Sequence, residues 1–207
     1  MRKGSRPGEQ RALPRTIVAD WTVVVPVKGT RDAKTRLTAS ASLAQAIALD
    51  SVAAALGAAS VIVVTAPTAA IELEALGARV VEDSGGGLNA AIAQGIAAAG
   101  DSFVAVLLGD VPALLTSELV AVLGLAERHP LAFVPDADGS GTVLITALRT
   151  TDHAPAFGVS SGSRHRAAGY VELDVPVDSG LRRDVDTPEQ LASLGARLGR
   201  RTRAALS

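Results

Sequence analysis

Lys28, Arg31, Lys34 and Arg36 put four cations within nine residues, and Gly29 beside them lets a ligand approach the backbone closely. That composition suits a triphosphate or several phosphate groups, although the spacing is not that of a Walker A loop, and a solvated basic turn would read the same way. Lys28 and Lys34 are also two of only three lysines among twenty basic residues, the other seventeen being Arg. Where Arg dominates this strongly, surviving lysines mark positions that suit a compact point charge better than a planar fork.

The complementary charges lie far along the chain. In Leu107-Leu108-Gly109-Asp110-Val111-Pro112 an apolar run delivers one carboxylate just before a proline. Asp110 either caps a short helical turn or supplies oxygen to a hard cation. Asp184 and Asp186, in Arg182-Arg183-Asp184-Val185-Asp186-Thr187-Pro188, share one side of an extended segment. They could complete a Mg²⁺ site with Asp110, or Asp186 could simply cap the helix that follows. Gly85-Gly86-Gly87-Leu88-Asn89 makes a tight turn or admits a ligand to the backbone, while Gly139-Ser140-Gly141-Thr142 and Phe157-Gly158-Val159-Ser160-Ser161 offer hydroxyl and amide donors for a phosphate or carboxylate. His165, on a helix expected to start near Ser160, reads more readily as structural than as a ligand contact, and His129 and His153 read as loop residues.

Each of these stretches must be held by a regular element. Thr22–Val27, Ser60–Thr65, Arg79–Val81, Phe103–Leu108 and Leu131–Val134 read as strands, separated by helices at Leu43–Leu56, Ala69–Leu76, Leu88–Ala99 and Ser117–Glu127. Gly141–Ile145 and Gly169–Leu173 are strand-like, and Thr187–Leu198 closes as a helix with Thr187 as cap and Pro188 at its first turn. Strands this uniformly apolar are buried on both faces, so the expected fold is α/β, a single-domain, mostly parallel sheet with helices on both faces. In such sheets ligands gather beyond the carboxyl ends of the strands, where the loops named above fall.

Composition narrows the chemistry further. The chain has 207 residues, no cysteine, five aromatic side chains and a net charge of −1. Thiolate nucleophiles, disulfides and Cys-ligated metals are excluded, base stacking on aromatic platforms is disfavoured, and nucleic acid is not an expected partner. No Gly-x-Ser-x-Gly elbow or paired histidine supports a serine hydrolase or zinc protease. Residues 1–20 read as a disordered basic leader without a signal-peptide core, 21–199 as a single domain and 200–207 as a C-terminal tail. Ala41–Ser60 is apolar but interrupted by Gln45, Asp50 and Gly57, so a membrane span is not expected and the cytoplasm is the default location. Ala-rich helices offer faces on which a homo-oligomer could pair.

Read in order, PVKGTRDAKTRL at 26–37, GGGLNAA at 85–91, GDVPAL at 109–114, GSGTVL at 139–144, FGVSS with His165 at 157–165 and LRRDVDTPEQL at 181–191 resemble the phospholactate/phosphoenolpyruvate guanylyltransferases of coenzyme F420 biosynthesis. The resemblance spans most of residues 22–195 and implies a GT-A-like nucleotidyltransferase fold, taking the assigned domain to 21–199. It implies that Lys28, Gly29, Arg31, Lys34 and Arg36 bind the nucleotide with Gly87, Leu88 and Asn89. Lys28, Lys34 and Asp110 would be catalytic, and Mg²⁺ would bind Asp110 with Asp184 or Asp186. Thr142, Gly158 and Ser161 would hold a small phosphorylated carboxylic acid, phosphoenolpyruvate, 2-phospholactate or 3-phosphoglycerate, with phosphoenolpyruvate the expectation for an actinobacterial-type composition. The implied reaction transfers GMP from GTP to the acceptor phosphate and releases pyrophosphate; such an acceptor is already ionised and needs no strong general base. One departure is the absence of a basic residue from Thr38 to Leu49, where the family is expected to carry Arg. Alternatives are a molybdenum-cofactor or sugar-phosphate nucleotidyltransferase, whose Leu-Ala-Gly-Gly first loop is replaced here by Val25-Pro26-Val27-Lys28, and a non-catalytic GTP-binding regulator.

Overall fold

A computed structural model describes residues 20–27 and 41–207. The basic leader and the cations at 28–36 therefore lie outside the described residues, apart from Asp20.

The strands are β1 (Trp21–Pro26), β2 (Ser60–Thr65), β3 (Arg79–Glu82), β4 (Phe103–Leu107), β5 (Leu131–Val134), β6 (Leu144–Ala147) and β7 (Val171–Glu172). The helices are α1 (Ala41–Ala58), α2 (Pro67–Ala75), α3 (Leu88–Ala99), α4 (Thr116–Ala126), α5 (Ser161–Ala167), α6 (Pro188–Leu194) and α7 (Arg200–Ala205). One seven-stranded sheet has the order β3-β2-β1-β4-β6-β5-β7. All pairings are parallel except those of β6, which runs antiparallel to both β4 and β5.

The period of two along the strands assigns side chains to opposite layers. Val23, Val25, Val61, Val63, Ala105 and Leu107 pack with Leu49, Val52 and Ala55 of α1, Leu73 of α2 and Leu119, Val122 and Leu123 of α4. Val24, Ile62, Val64, Val104 and Val106 face the other way, onto Ala91, Ile92 and Ile96 of α3. Burial on both faces explains why the strands read as continuous apolar runs, and each fully buried Val, Leu or Ile contributes about 1.5–3 kcal/mol. Among the described residues α1 is long and apolar enough to cross a bilayer, yet half of it is buried here, against β2, α2, α4 and α7.

Three expectations are corrected. The stretch Gly141–Ile145 is strand only from Leu144, because the amides of Ser140 and Gly141 are taken by the Asp136 carboxylate at 3.1 and 2.8 Å. The residues set apart as a tail contain α7, docked on α1. Asp50 of α1 is the reason: its carboxylate accepts from the Arg201 and Thr202 amides at 3.2 and 2.8 Å and from Thr202 Oγ1 at 2.9 Å. Paired with the Arg201 guanidinium at 3.5 Å, that buried charge satisfies orphan amides of the last helix. The closing helix also ends at Leu194, where Gly195 turns the chain with φ +47°.

Since β1 to β4 are mutually parallel, their following loops emerge at one edge of the sheet. The reversed β6 begins at that edge, and β5 and β7 end there. The order reverses at β1, which lies between β2 and β4, so the switch point of the sheet falls between the loops after β1 and β4.

Candidate active site

Asp110 stands three residues beyond β4, in a segment stitched on both sides. The Leu108 amide donates to Val143 O at 3.0 Å, and the Val185 amide donates to Asp110 O at 3.0 Å. The second bond lays the extended Asp184-Val185-Asp186 segment alongside Asp110, bringing together carboxylates more than seventy positions apart in sequence. Val185 anchors it by packing with Leu43, Ile47, Ala113, Leu191, Leu194 and Leu198. The fork of Arg182 holds the same segment from the other side, donating to Asp136 O at 3.2 and 2.7 Å and to Val175 O at 2.9 Å. Arg182 is thus a strut.

Burial pushes the Asp184 carboxyl up to about 7, and the neighbouring charges of Asp110, Asp136 and Asp186 push it the same way. Asp136, which sequence reasoning missed, sits in the β5–β6 connection and caps its own turn. A Cβ on Gly141 would lie 2.2 Å from Asp136 Oδ2, so only glycine admits this carboxylate. The available signal was Asp136-Ala137-Asp138-Gly139 between two apolar runs, a turn composition whose first residue faces the strand ends. The cap of α6 is Thr187: its Oγ1 accepts from the Gln190 amide at 3.2 Å, while Gln190 Oε1 accepts from the Thr187 and Asp186 amides at 3.0 and 2.7 Å. Asp186 is exposed and has no capping role.

Among the described residues no set of three or more His, Asp or Glu side chains is arranged to enclose a metal ion. The donor set nevertheless fits a hard divalent cation, since positive charge would relieve the carboxylate crowding that holds the Asp184 carboxyl up. Two protein carboxylates would leave the remaining coordination positions for water and phosphate oxygens.

On the other side of β1 the chain after β3 passes through Gly85, Gly86 and Gly87, all with φ between +87° and +96°. No Cβ would collide at Gly85 or Gly87, so the requirement is the left-handed backbone itself. Leu88 opens α3. Asn89 Nδ2 donates to Phe157 O at 3.1 Å, and its Oδ1 accepts from the Phe157 amide at 3.0 Å. It therefore fastens the triple-glycine turn to the loop carrying Gly158.

Thr142, Gly158 and Ser161 are also brought together. The Gly162 amide donates to Ser140 O at 3.1 Å, docking the start of α5 on the Gly139–Thr142 turn, and the Ser161 amide donates to Gly158 O at 3.0 Å. Ser160 holds φ +56°, the one left-handed non-glycine among the described residues, as the chain turns sharply into α5. Thr142 Oγ1 lies 2.9 Å from His165 Nδ1. His165 is fully buried and kept neutral, its imidazole pushed down to about 4 by burial and by Arg164 and His153.

A model of guanylyl transferases, CofC like, matches residues 21–194. The chain belongs to this family. It is 48% identical over 205 residues to the phosphoenolpyruvate guanylyltransferase of Streptomyces scabiei, covering 89% of this chain and 95% of that protein. The corresponding Streptomyces coelicolor enzyme is 48% identical over 200 residues, with 89% and 94% covered. Among solved structures, 2-C-methyl-D-erythritol 4-phosphate cytidylyltransferase from Thermus thermophilus superposes with a TM-score of 0.56 at 20% identity, covering 90% of this chain and 98% of that one. A Mycobacterium tuberculosis protein solved in complex with manganese gives 0.56 at 22% identity, covering 85% and 97%. These two likenesses show the fold: the CofC-like sheet and helices are those of the GT-A-like nucleotidyltransferases.

Proposed function

We propose that this protein transfers GMP from GTP to the phosphate of phosphoenolpyruvate, releasing pyrophosphate, as a step of coenzyme F420 biosynthesis. The observation that carries this reading is the convergence, at one sheet edge of a CofC-like chain, of Asp110 with Asp184 and Asp186 beside the docked turns that carry Thr142, Gly158 and Ser161. A carboxylate cluster suited to a phosphate-bound cation, beside hydroxyl and amide donors for a second phosphate, is what joining two phosphates requires, and the relatives are named phosphoenolpyruvate guanylyltransferases.

In this scheme Gly87 and Leu88 line the nucleotide side, with Asn89 fixing their position relative to the acceptor. Lys28, Gly29, Arg31, Lys34 and Arg36, next in sequence after β1, would hold the phosphates of GTP. Asp110, with Asp184 or Asp186, holds Mg²⁺, which when bound neutralises charge on the triphosphate. Thr142, Gly158 and Ser161 orient the acceptor so that its phosphate oxygen faces the α-phosphorus. That oxygen forms the new P–O bond as the bond to the bridging β-phosphate oxygen breaks, and pyrophosphate leaves with the electron pair. No proton has to be removed from an ionised phosphate, so positioning and charge neutralisation supply the rate enhancement.

The test is pyrophosphate release from GTP with phosphoenolpyruvate, 2-phospholactate or 3-phosphoglycerate, with mass detection of the guanylylated product. Turnover with phosphoenolpyruvate and GTP at the highest kcat/KM is expected; equal release without any acceptor, or preference for another nucleotide, overturns the assignment. Asp110→Ala should lower turnover by about 3–4 kcal/mol of transition-state stabilisation, the range for deleting a preorganised electrostatic group. Wild-type, Mg²⁺-dependent turnover in that variant would remove Asp110 from the mechanism.

A further inference from the structure

His165 has both ring nitrogens engaged, and the partners dictate which carries the proton. The Ala156 amide lies 3.0 Å from Nε2 and can only donate, so Nε2 is the acceptor. The neutral ring therefore carries its proton on Nδ1, which donates to Thr142 Oγ1 at 2.9 Å. The ring cannot turn over to exchange these roles without losing both bonds. It is also wedged edge-on against Phe157 and Tyr170, with centroids 5.1 and 5.3 Å away, and lies 6.2 Å from Phe133.

A threonine hydroxyl left to itself either donates or accepts. With one lone pair of Thr142 Oγ1 taken by Nδ1–H, and no other partner for that oxygen among the described residues, its own proton remains to be given away. We propose that His165 is a positioning residue for the acceptor: with its tautomer fixed by the Ala156 amide, it sets the Thr142 hydroxyl as a hydrogen-bond donor to an anionic oxygen of the phosphorylated acid. This rests on the reading of Thr142 as an acceptor-binding residue. The imidazole itself touches no substrate.

Steady-state kinetics of Thr142→Val, His165→Phe and the double variant, with GTP and phosphoenolpyruvate varied separately, test it. Each single variant should raise the acceptor KM about tenfold, the scale of one hydrogen bond to a charged group, and leave the GTP KM within about twofold. The double variant should be no worse than Thr142→Val alone, because the histidine acts through that hydroxyl. Two conservative variants separate this role from simple packing. His165→Asn keeps an N–H where Nδ1 stood and should retain most of the acceptor affinity; His165→Gln, whose amide reaches only the Nε2 position, should lose it. Full additivity in the double variant, an equal rise in the GTP KM, or equal behaviour of Asn and Gln overturns the inference while leaving the proposed reaction standing. An unchanged acceptor KM in Thr142→Val overturns both this inference and the placement of the acceptor on Thr142.

Discussion

At the scale of single residues, Asp184 shows how function opposes stability. Its carboxyl is held up to about 7 by burial and by three other carboxylates, so at pH 8 the folded, cation-free protein carries a charge it would shed if it could. Asp184→Asn removes that repulsion and keeps the shape. The cation-free variant should melt higher than wild type, at roughly 2–4 °C for each kcal/mol recovered in a chain of this size, while guanylyl transfer falls. A lower melting temperature in calorimetry with chelator present would show that Asp184 is already balanced by a positive partner. Asn89 makes a second prediction of this kind. Truncation to Ala leaves the Phe157 amide and carbonyl unsatisfied, at about 1–3 kcal/mol, and frees two loops from each other. Thermal unfolding should shift down, and the KM values for GTP and acceptor should both rise, where a residue serving the nucleotide alone would move only one.

At the scale of elements, two neutral histidines tie the segment between β6 and α5 to the sheet. His153 Nε2 donates to Val104 O at 3.0 Å and its Nδ1 accepts from Tyr170 Oη at 3.1 Å, while Tyr170 Oη accepts from the Ala154 amide at 2.8 Å. His165 takes the Ala156 amide two residues on. Burial lowers both imidazoles, His165 to about 4. The unfolded chain takes up protons near 6.5 and the folded chain does not, so the stability these groups contribute is complete above about 6.5 and is lost as pH falls toward 4. Asp184 runs in the opposite sense, its raised carboxyl favouring the fold as pH falls. In the Asp184→Asn background the histidines therefore act alone, and denaturant midpoints should drop steadily from pH 6.5 to 5 with a slope on the order of 1 kcal/mol per pH unit for each proton. A flat profile would mean that both rings are already charged in the fold.

At the scale of the whole molecule, the carboxylate loop depends on the end of the chain. The Gly199 amide donates to Pro112 O at 2.7 Å, Leu198 packs with Val185, and α7 is held on α1 by Asp50. Asp50→Ala strips two amides and a hydroxyl of their acceptor and should cost about 2–4 kcal/mol, more than Asp50→Asn, which keeps one acceptor oxygen. Turnover should fall with stability even though Asp50 forms no part of the site, and urea unfolding beside kinetics at low temperature would separate the two effects.

The residues alone were enough for the layered α/β architecture, because continuous apolar strands and alternating helices can be buried in few other ways. They were also enough for the separation of charge: cations after the first strand, carboxylates after the fourth and near the end. Six motifs in order sufficed for the family. Local patterns could not reveal that Asn89 spans to Phe157, that Arg182 is a strut, that Asp136 joins the carboxylate field, or that the last residues dock on α1. Three of those depend on a partner between 46 and 152 positions away, through a backbone amide or carbonyl whose direction no side-chain pattern encodes, and Asp136 meets Asp184 carboxylate to carboxylate. Hydrophobic periodicity reports which face of an element is buried. Which hydroxyl, amide or carboxylate meets across the resulting sheet edge is decided only when the strands are in register and their loops compete for the same space.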